Sequence, residues 1–481
     1  MLGRMPERPR RRTGTLAVLA CATLASAVLA ALAGSTWLHA AELRVAEPGV
    51  ALAGLTVVHP GEGREPGRSI EVRGDRITRV SSSPSPGASE AYAGSFALPG
   101  LVDLHVHHPP ALAIGQRELF DLLFLAHGVT SVRDTGSFDG RLLGYRRRVD
   151  AGELVAPRLF ACGAILDGDP VGWPGARRVS NAAQASEAVA RLAEEGVDCV
   201  KVYNHLDEPA FVAIREAAAA RGLPVVAHVP ELVPFDHVAG VEVQHLMGLT
   251  ADWSELSERE IDRYVFHSLR FGLVHTPTLV VFARAARLEH AEALEGDPAA
   301  RLLPRFYREL LWNPAHNPLV FRLTPGDWRD LGQRFAGMQR VVRRLHESGV
   351  RILAGTDTLN PYVVPGASLQ AELVHLAESG LGLEEAWVAA TRHAGEALGV
   401  PGLGRLAEGA PADFAIYAED PSRDPAAFAT LRAVVARGRL YPRESLDAAV
   451  ARRRAQLDGW LYSGLFRASA RLVIAAVARD E

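Results

Sequence analysis

The chain has 481 residues, of which 48% are hydrophobic and 22% charged, and its formal net charge at pH 7 is −4. This length suits one large domain with a smaller one, and the composition is that of an ordinary globular protein. Because a nucleic-acid-binding protein needs a basic face, the acidic balance argues against a nucleic-acid partner.

Residues 1–41 have the features of a targeting segment. Five arginines precede an uncharged stretch from Thr13 to Ala41 that is rich in Ala and Leu and ends in small residues. A basic flank, an apolar run and a small-residue end are typical of a secretory signal. The stretch is also long enough to span a bilayer, so an uncleaved membrane anchor is the alternative. We expect an exported protein, either periplasmic or extracellular.

The rest of the chain changes character twice and predicts an α/β protein. Residues 43–100 hold short alternating segments with a hairpin signal in "SIEVRGDRITRV". Over residues 101–400, eight apolar candidate strands alternate with helical stretches, which predicts a (β/α)8 TIM-like barrel. Strand character returns at 401–442, so we expect these residues and 43–100 to form a small β-sandwich into which the barrel is inserted. Residues 443–481 are predicted as a C-terminal helical extension.

Only two cysteines, Cys162 and Cys199, follow the targeting segment. Two cysteines do not make a disulfide framework, and both lie in apolar, strand-like sequence. We therefore expect buried thiols.

The first candidate barrel strand ends in a cluster of imidazoles, in "LPGLVDLHVHHPP" at 98–110. Because alternate side chains of a strand share a face, Asp103, His105 and His107 are expected to point one way. Two imidazoles on one face can bind a single metal ion. From this stretch alone, a chance histidine cluster at a loop mouth is the alternative.

Later candidate strands also end in residues able to bind metal. The fourth ends near Lys201, the fifth at His228, the sixth at His245 and the eighth at Asp357. In a barrel, the C-terminal ends of the strands surround one mouth, where reactive groups gather. Repeated placement of such residues at strand ends argues against chance.

Lys201 is the only lysine among 52 basic residues. An amine can lose its proton when buried, whereas a guanidinium cannot, so this position is expected to need a reactive amine. The known use of a lysine in such a mouth is carbamylation by CO2, which creates an anionic ligand able to bridge two metal ions. A leftover lysine in an arginine-biased composition is the alternative.

Eight motifs follow one another along the chain: "LPGLVDLHVH", "GVTSVRDTG", "DCVKVYN", "VVAHV", "VEVQHL", "HTPTL", "LAGTDT" and "GRLAEGAPADFAIY". As an ordered set they resemble the metal-dependent amidohydrolase superfamily over about residues 50–440. Within it the chain most resembles the branch with imidazolonepropionase-like and Xaa-Pro dipeptidase-like enzymes.

This resemblance implies a binuclear metal centre. Its ligands would be His105, His107 and Asp357 on the first ion, His228 and His245 on the second, and a carboxylated Lys201 bridging the two. Imidazole and carboxylate ligands suit zinc, with manganese, iron or cobalt as alternatives. A metal-bridging hydroxide would then attack the substrate carbonyl, and Asp357 would carry the proton to the leaving group.

Four further residues are candidates for positioning groups or substrate contacts: Asp103, Arg133, Tyr203 and His275. Asp103 would orient the nearby histidines or serve only the start of the strand. Arg133, with Asp134, would form a buried ion pair or contact an anionic substrate. Tyr203 and His275 would face the mouth, or lie on a loop and in the core. The aromatic stretches at 165–180 and between His275 and Asp357 would be lids, substrate walls or oligomer contacts.

These features predict an exported hydrolase that cleaves an amide or cyclic amide bond of a small-molecule substrate. Hydrolysis of an ester, a lactone or an Xaa-Pro-type dipeptide at the same site is the alternative within this chemistry. A mononuclear deaminase is disfavoured by the resemblance, because such relatives generally lack the bridging lysine. A non-catalytic scaffold would not be expected to keep the complete ligand set. An oligomer and attachment to a membrane through the N-terminal segment both stay open.

Overall fold

A computed structural model describes residue 43 and residues 48–480, apart from 138–139, 174, 250–252, 254–255, 291–293, 295, 314–315 and 318–324. The predicted targeting segment, residues 1–41, lies outside the described residues. Within the described ranges, no helix has the length and apolar character needed to cross a membrane.

Strands from both ends of the chain form one seven-stranded sheet. In sheet order they are β16 (Arg439–Pro442), β15 (Leu431–Ala436), β14 (Phe414–Tyr417), β4 (Phe96–Pro99), β1 (Gly49–His59), β2 (Gly63–Arg73) and β3 (Arg76–Ser81). β4 runs parallel to β1 and antiparallel to β14, so it joins the two chain ends.

This β-rich unit curls over its own hydrophobic core. The backbone N–H of Ile77, on the edge strand β3, donates to the carbonyl of Ala410 at 2.9 Å. The curled sheet encloses apolar side chains that include Leu55, Ile70 and Phe414, each fully buried. The predicted sandwich would cover this core with two sheets. In the structure a single curled sheet covers it. The domain boundaries, with the barrel at 101–400 between the two parts of the small domain at 43–100 and 401–442, stay a prediction.

The barrel strands form two parallel groups. The first contains β5 (Leu101–Val106), β6 (Val129–Asp134) and β7 (Arg158–Ala161). The second contains β13 (Val274–Thr276), β12 (Glu242–Gln244), β11 (Val225–Ala227), β10 (Val200–Val202), β8 (Leu166–Asp167) and β9 (Arg177–Arg178). The groups meet where the backbone N–H of Asp198 donates to the carbonyl of Ala161 at 2.9 Å.

The predicted eighth strand is irregular. It forms single bridges, from Ile352 to His275 and from Thr358 to Val106, so it lies between β13 and β5. A Cβ on Gly355 would lie only 2.8 Å from the Cβ of His105. Only glycine therefore fits where this segment passes the first strand. The segment therefore bends away from a regular ladder just before Asp357.

Helices surround the barrel and end the chain. In the described ranges they are Gln116–Ala126, Leu142–Asp150, Ala182–Glu195, Glu208–Ala219, Glu258–Arg270, Leu279–Ala285, Pro325–Glu347, Ala367–Leu376, Leu383–Ala389, Arg392–Ala397, Arg443–Asp458 and Trp460–Asp480. Short 3-10 or π turns occur at Phe235–His237, Leu288–His290, Ala299–Leu302, Tyr307–Leu311, Ala377–Leu381 and Pro425–Thr430.

Local sequence explains several helix starts. Asn181 and Asp207 accept hydrogen bonds from the backbone three residues later, and Ser257 forms a capping box with Glu260. In the motif "HTPTL" the strand ends at Thr276 and the chain becomes helical at Leu279. The buried carboxyl group of Glu372 accepts the backbone N–H of Leu279 at 2.9 Å, so a distant residue stabilises this helix start.

The two cysteines form a disulfide, so the expectation of buried thiols was wrong. Cys162 follows β7, Cys199 precedes β10, and the two are bonded across 37 residues of sequence. Both are buried in a small cluster with Val226. The disulfide could not be predicted from the sequence, because the two cysteines become neighbours only when β7 and β10 lie side by side.

Replacing both cysteines with alanine should lower the free energy of unfolding by about 2–4 kcal/mol, because the cross-link restricts the unfolded chain. Urea unfolding of the wild type and of the double variant measures the difference. A reducing agent should move the wild-type midpoint to that of the variant and leave the variant unchanged. Equal midpoints under oxidising conditions would contradict this expectation.

Candidate metal centre

The histidines of the first strand are held through one ring nitrogen each. The Nδ1–H of His105 donates to the Oε1 atom of Gln244, and that of His107 donates to the carbonyl of Gly136 at 2.9 Å. Their Nε2 atoms then face Asp357 Oδ1, at 3.5 Å from His105 and 3.3 Å from His107. An imidazole fixed through Nδ1 presents Nε2 as a lone pair for a cation.

The histidines of the fifth and sixth strands follow the same pattern. His228 donates through Nδ1 to Asn204 Oδ1 at 3.0 Å, and His245 donates to Thr278 Oγ1 at 2.6 Å. The Thr278 hydroxyl in turn donates to the carbonyl of Pro277, which leaves its oxygen free to accept. The His228 and His245 rings lie 4.7 Å apart. All four predicted histidine ligands therefore present Nε2.

Three of the predicted ligands form a compact group. One ligand atom each from His105, His245 and Asp357 lies within 4.8 Å of the others. His245 and Asp357 both have a left-handed backbone, with φ values of 56° and 61°. Such conformations are uncommon for residues other than glycine and concentrate at functional sites.

The electrostatics of the group favour cation binding. Burial and the charge of Lys201 lower the pKa of His105 and His228 well below the usual value, and burial lowers the pKa of His245 to about 3. Burial opposes ionisation of Asp357, but the neighbouring histidines and Lys201 outweigh it and lower its pKa. At neutral pH the site therefore offers three neutral imidazoles and an anionic carboxylate, the forms that bind metal. His107 differs, because its hydrogen bond to Asp357 and the charge of that carboxylate outweigh burial and raise its pKa.

Lys201 lies on β10 and is 1% exposed. Its Nζ atom has no hydrogen-bond partner among the described residues. Burial lowers the pKa of this amine to about 7. A buried ammonium without a partner is costly, so the site favours a form of Lys201 that is not a free cation.

Asp103 positions the eighth-strand segment and also accepts the backbone N–H of His105 at 3.3 Å through Oδ1. Its Oδ1 accepts the backbone N–H of Thr356 at 3.0 Å, and its Oδ2 accepts the Thr356 hydroxyl at 2.7 Å. Thr356 immediately precedes Asp357. Asp103 therefore holds in place the backbone that carries this carboxylate.

Arg133 forms a buried ion pair, but with Glu242 and not with Asp134. Arg133 Nη1 donates to Glu242 Oε2 at 2.7 Å, and Arg133 Nε donates to the carbonyl of Leu104 at 2.9 Å. Glu242 also accepts from the Gln244 amide at 2.8 Å, and that amide holds His105. Asp134 instead contacts His108 Nδ1 at 3.1 Å. Arg133 is therefore linked to His105 through Glu242 and Gln244, as the predicted buried ion pair would be.

Replacing Arg133 with methionine should lower the free energy of unfolding by about 3–5 kcal/mol, because Glu242 is left as an uncompensated buried charge. The double variant Arg133→Met/Glu242→Gln should recover part of the loss. Arg340→Met, which breaks an exposed pair with Glu258, serves as the control and should leave the urea midpoint unchanged. An unchanged midpoint for Arg133→Met would refute the importance of the pair.

Tyr203 and His275 differ in where they point. The Tyr203 ring stacks on His228 at 4.3 Å, so it lines the site. His275 Nε2 instead contacts the Ser268 hydroxyl at 2.9 Å on the helix Glu258–Arg270, so of the two predicted places it takes the core and not the mouth. The alternation of β13 explains this, because Thr276 points inward to Glu242 and its neighbour must point outward.

Sequence reasoning missed several residues around the centre. Trp173, in the predicted lid stretch 165–180, stacks on His107 at 4.8 Å. Phe282 lies 6.2 Å from the His245 ring. Gln244 precedes His245 in the motif "VEVQHL", and that position offered the only local signal for its role. The roles of the individual metal ligands stay predictions.

Comparisons with known proteins agree with this architecture. A family model described as "Amidohydrolase family" matches residues 270–441. An uncharacterized protein of Mycobacterium tuberculosis is 28% identical over 392 residues, covering 76% of this chain and 90% of the relative. The imidazolonepropionase of Acidiphilium cryptum is 27% identical over 398 residues, covering 75% of this chain and 89% of the enzyme.

Solved structures show the same fold. Bottromycin amidohydrolase superposes with a TM-score of 0.70 and 27% identity, over 87% of this chain and 93% of that chain. A putative prolidase from Bifidobacterium longum has a TM-score of 0.65 and 23% identity, over 84% and 99%. The fold, the site and these matches together define a barrel hydrolase that acts on carbon–nitrogen bonds. The prediction of an amidohydrolase from the sequence motifs is thereby confirmed.

Proposed function

We propose that this amidohydrolase is exported and cleaves an amide or cyclic amide bond at a binuclear metal centre. The observation that carries the proposal is the common orientation of four histidines around an amine and a carboxylate. His105, His107 and Asp357 would hold one ion, His228 and His245 the second, and Lys201, carboxylated by CO2, would lie between them.

The donor set fits a pair of divalent metal ions. Neutral imidazoles with Nδ1 already occupied are suitable zinc ligands. The amine of Lys201 has no hydrogen-bond partner in the described part of the chain, and its pKa of about 7 leaves a large neutral fraction able to react with CO2. Carboxylation would convert this group into an anion with two oxygen donors. When bound, such metal ions polarise a carbonyl and make a water acidic enough to attack it.

The chain's own residues would transfer the protons and form the walls of the substrate site. Asp357 lies among the imidazoles as an anion and is suited to accept a proton and pass it to the leaving nitrogen. Thr356 and Asp103 fix its backbone. Trp173 and Tyr203 cover the His107 and His228 rings and would limit access of bulk water to the reacting carbonyl.

The Cys162–Cys199 disulfide supports the proposal of export, since disulfides persist in oxidising compartments and are rare in the cytosol. Cell fractionation and N-terminal sequencing of the native protein test this part. Cleavage near Ala41 would identify a signal peptide, an intact N-terminus in the membrane fraction would identify an anchor, and a cytosolic product would refute export.

Metal analysis and a substrate screen test the catalytic part. The purified chain should contain about two divalent ions, lose its activity with a chelator and regain it with zinc. Screening N-acyl amino acids, dipeptides, hydantoins and lactones should reveal turnover of a compound with a scissile carbon–nitrogen bond. A chain that binds no metal and hydrolyses none of these compounds would refute the proposal and favour a scaffold.

A further inference from the structure

One arginine near the centre has no acidic partner among the described residues. Arg334 lies on the helix Pro325–Glu347, within the long stretch that separates β13 from Asp357. Its guanidinium carbon is 4.4 Å from the centre of the Phe282 ring and 5.3 Å from the Trp253 ring. Its Nε atom is buried and has no hydrogen-bond partner in the part of the chain that the structure describes.

Other arginines of the same helix behave differently. Arg340 pairs with Glu258, and Arg344 pairs with Asp262 at 2.7 Å. Burial lowers the pKa of Arg334 to about 10, and no acidic group in the described ranges offsets that effect. The guanidinium therefore stays charged at neutral pH, and the described part of the chain supplies no counter-ion for it. Because a partly desolvated cation without a counter-ion is costly, its retention indicates that an anion binds there.

Arg334 lies one aromatic ring away from the proposed metal ligands. Phe282 contacts the guanidinium on one side and lies 6.2 Å from the His245 ring on the other. Arg334 Nη2 is 4.0 Å from the sulfur of Met247, two residues after His245. An anion bound to Arg334 would thus lie beside the centre that cleaves the substrate.

The surroundings of Arg334 restrict its position. Gly337, one turn later on the helix, lies against Trp253, and a Cβ there would be 2.9 Å from the ring atom Cε3. The missing side chain lets the tryptophan lie close to the helix beside the guanidinium. Two aromatic rings therefore hold the guanidinium in place, and the planar arrangement of its N–H donors suits an anionic ligand.

We propose that Arg334 binds a carboxylate of the substrate, so that the enzyme prefers anionic amides over neutral ones. Paired N–H donors in one plane match the two oxygens of a carboxylate. The substrate class is then N-acyl amino acids and dipeptides with a free C-terminal carboxylate. This inference rests on the proposed function, because it places the carboxylate relative to the carbon–nitrogen bond that is cleaved.

Binding measurements on paired ligands test the proposal without depending on turnover. The ligands are N-acetyl amino acids with aliphatic, aromatic and proline side chains, each compared with its own carboxamide. Calorimetric titrations use the full, zinc-loaded chain carrying Asp357→Asn, alone or combined with Arg334→Met, Arg334→Lys or Arg340→Met. Metal content and circular dichroism confirm that each variant is loaded and folded.

The chain with Arg334 should bind the best carboxylate about 10- to 100-fold more tightly than its carboxamide. Arg334→Met should abolish this preference, Arg334→Lys should keep part of it through its charge, and Arg340→Met should keep all of it. Equal binding of acids and amides, an unchanged preference in Arg334→Met, or no binding of any acid would overturn the proposal.

Turnover by the zinc-loaded wild type separates this inference from the proposed function. Hydrolysis of neutral amides as fast as acids would overturn the role of Arg334 and leave the hydrolase intact. A carboxylate preference in binding, without hydrolysis of any carbon–nitrogen bond, would support Arg334 as an anion site and refute the proposed function.

Discussion

Replacing Lys201 with alanine is expected to lower kcat by at least about 10³-fold, because loss of the bridging group removes several kcal/mol of metal-dependent stabilisation of the transition state. The bound metal should fall from about two ions per chain to one or fewer. Steady-state assays on the best substrate of the screen and metal analysis of the same sample provide the two measurements.

Two further measurements separate a catalytic role from a structural one. Acetate or propionate fits the space left by the shortened side chain and should restore activity to Lys201→Ala, whereas Lys201→Met fills that space and should not respond. Lys201→Met without metal should be at least as stable to urea as the wild type, because a buried amine without a partner is removed. A Lys201→Ala variant that kept two ions and a normal rate would refute the bridging role.

Replacing Asp357 with asparagine should lower kcat by about 10²–10⁴-fold, the contribution typical of a positioned proton-transfer group. Asparagine is nearly isosteric and tolerates a left-handed backbone, so it suits the φ of 61° at this position. The loss of rate should therefore reflect the missing carboxylate and not a strained backbone. Assays at saturating substrate, with metal content measured in parallel, test this expectation.

Asp357→Ala separates the two effects. Alanine lacks the side chain that eases a left-handed conformation, so this variant should lose stability as well as activity. Asp262→Asn, on an exposed pair with Arg344, is the matched control and should change neither property. Near-normal turnover in Asp357→Asn would contradict the proposed proton transfer.

Much of this site could be predicted from the sequence because it depends on a short-range rule. Alternation of strands and helices predicted the barrel, and parallel strands direct their C-terminal ends to one mouth. The residue types at the strand ends were therefore enough to predict His105, His228, His245 and Asp357 as metal ligands. The eighth candidate strand forms only single bridges, and its Gly355 passes close to His105, a contact that the local pattern does not encode.

The sequence by itself determined which chemistry gathers at the mouth, since the residue types and their places at strand ends lie in local stretches of the chain. Tertiary structure alone decided the partners. The Cys162–Cys199 bond, the pairing of Arg133 with Glu242 and the outward turn of His275 each depend on which elements become neighbours. The lack of an acidic partner for Arg334 among the described residues likewise depends on packing, because the sequence does not show which side chains surround the guanidinium.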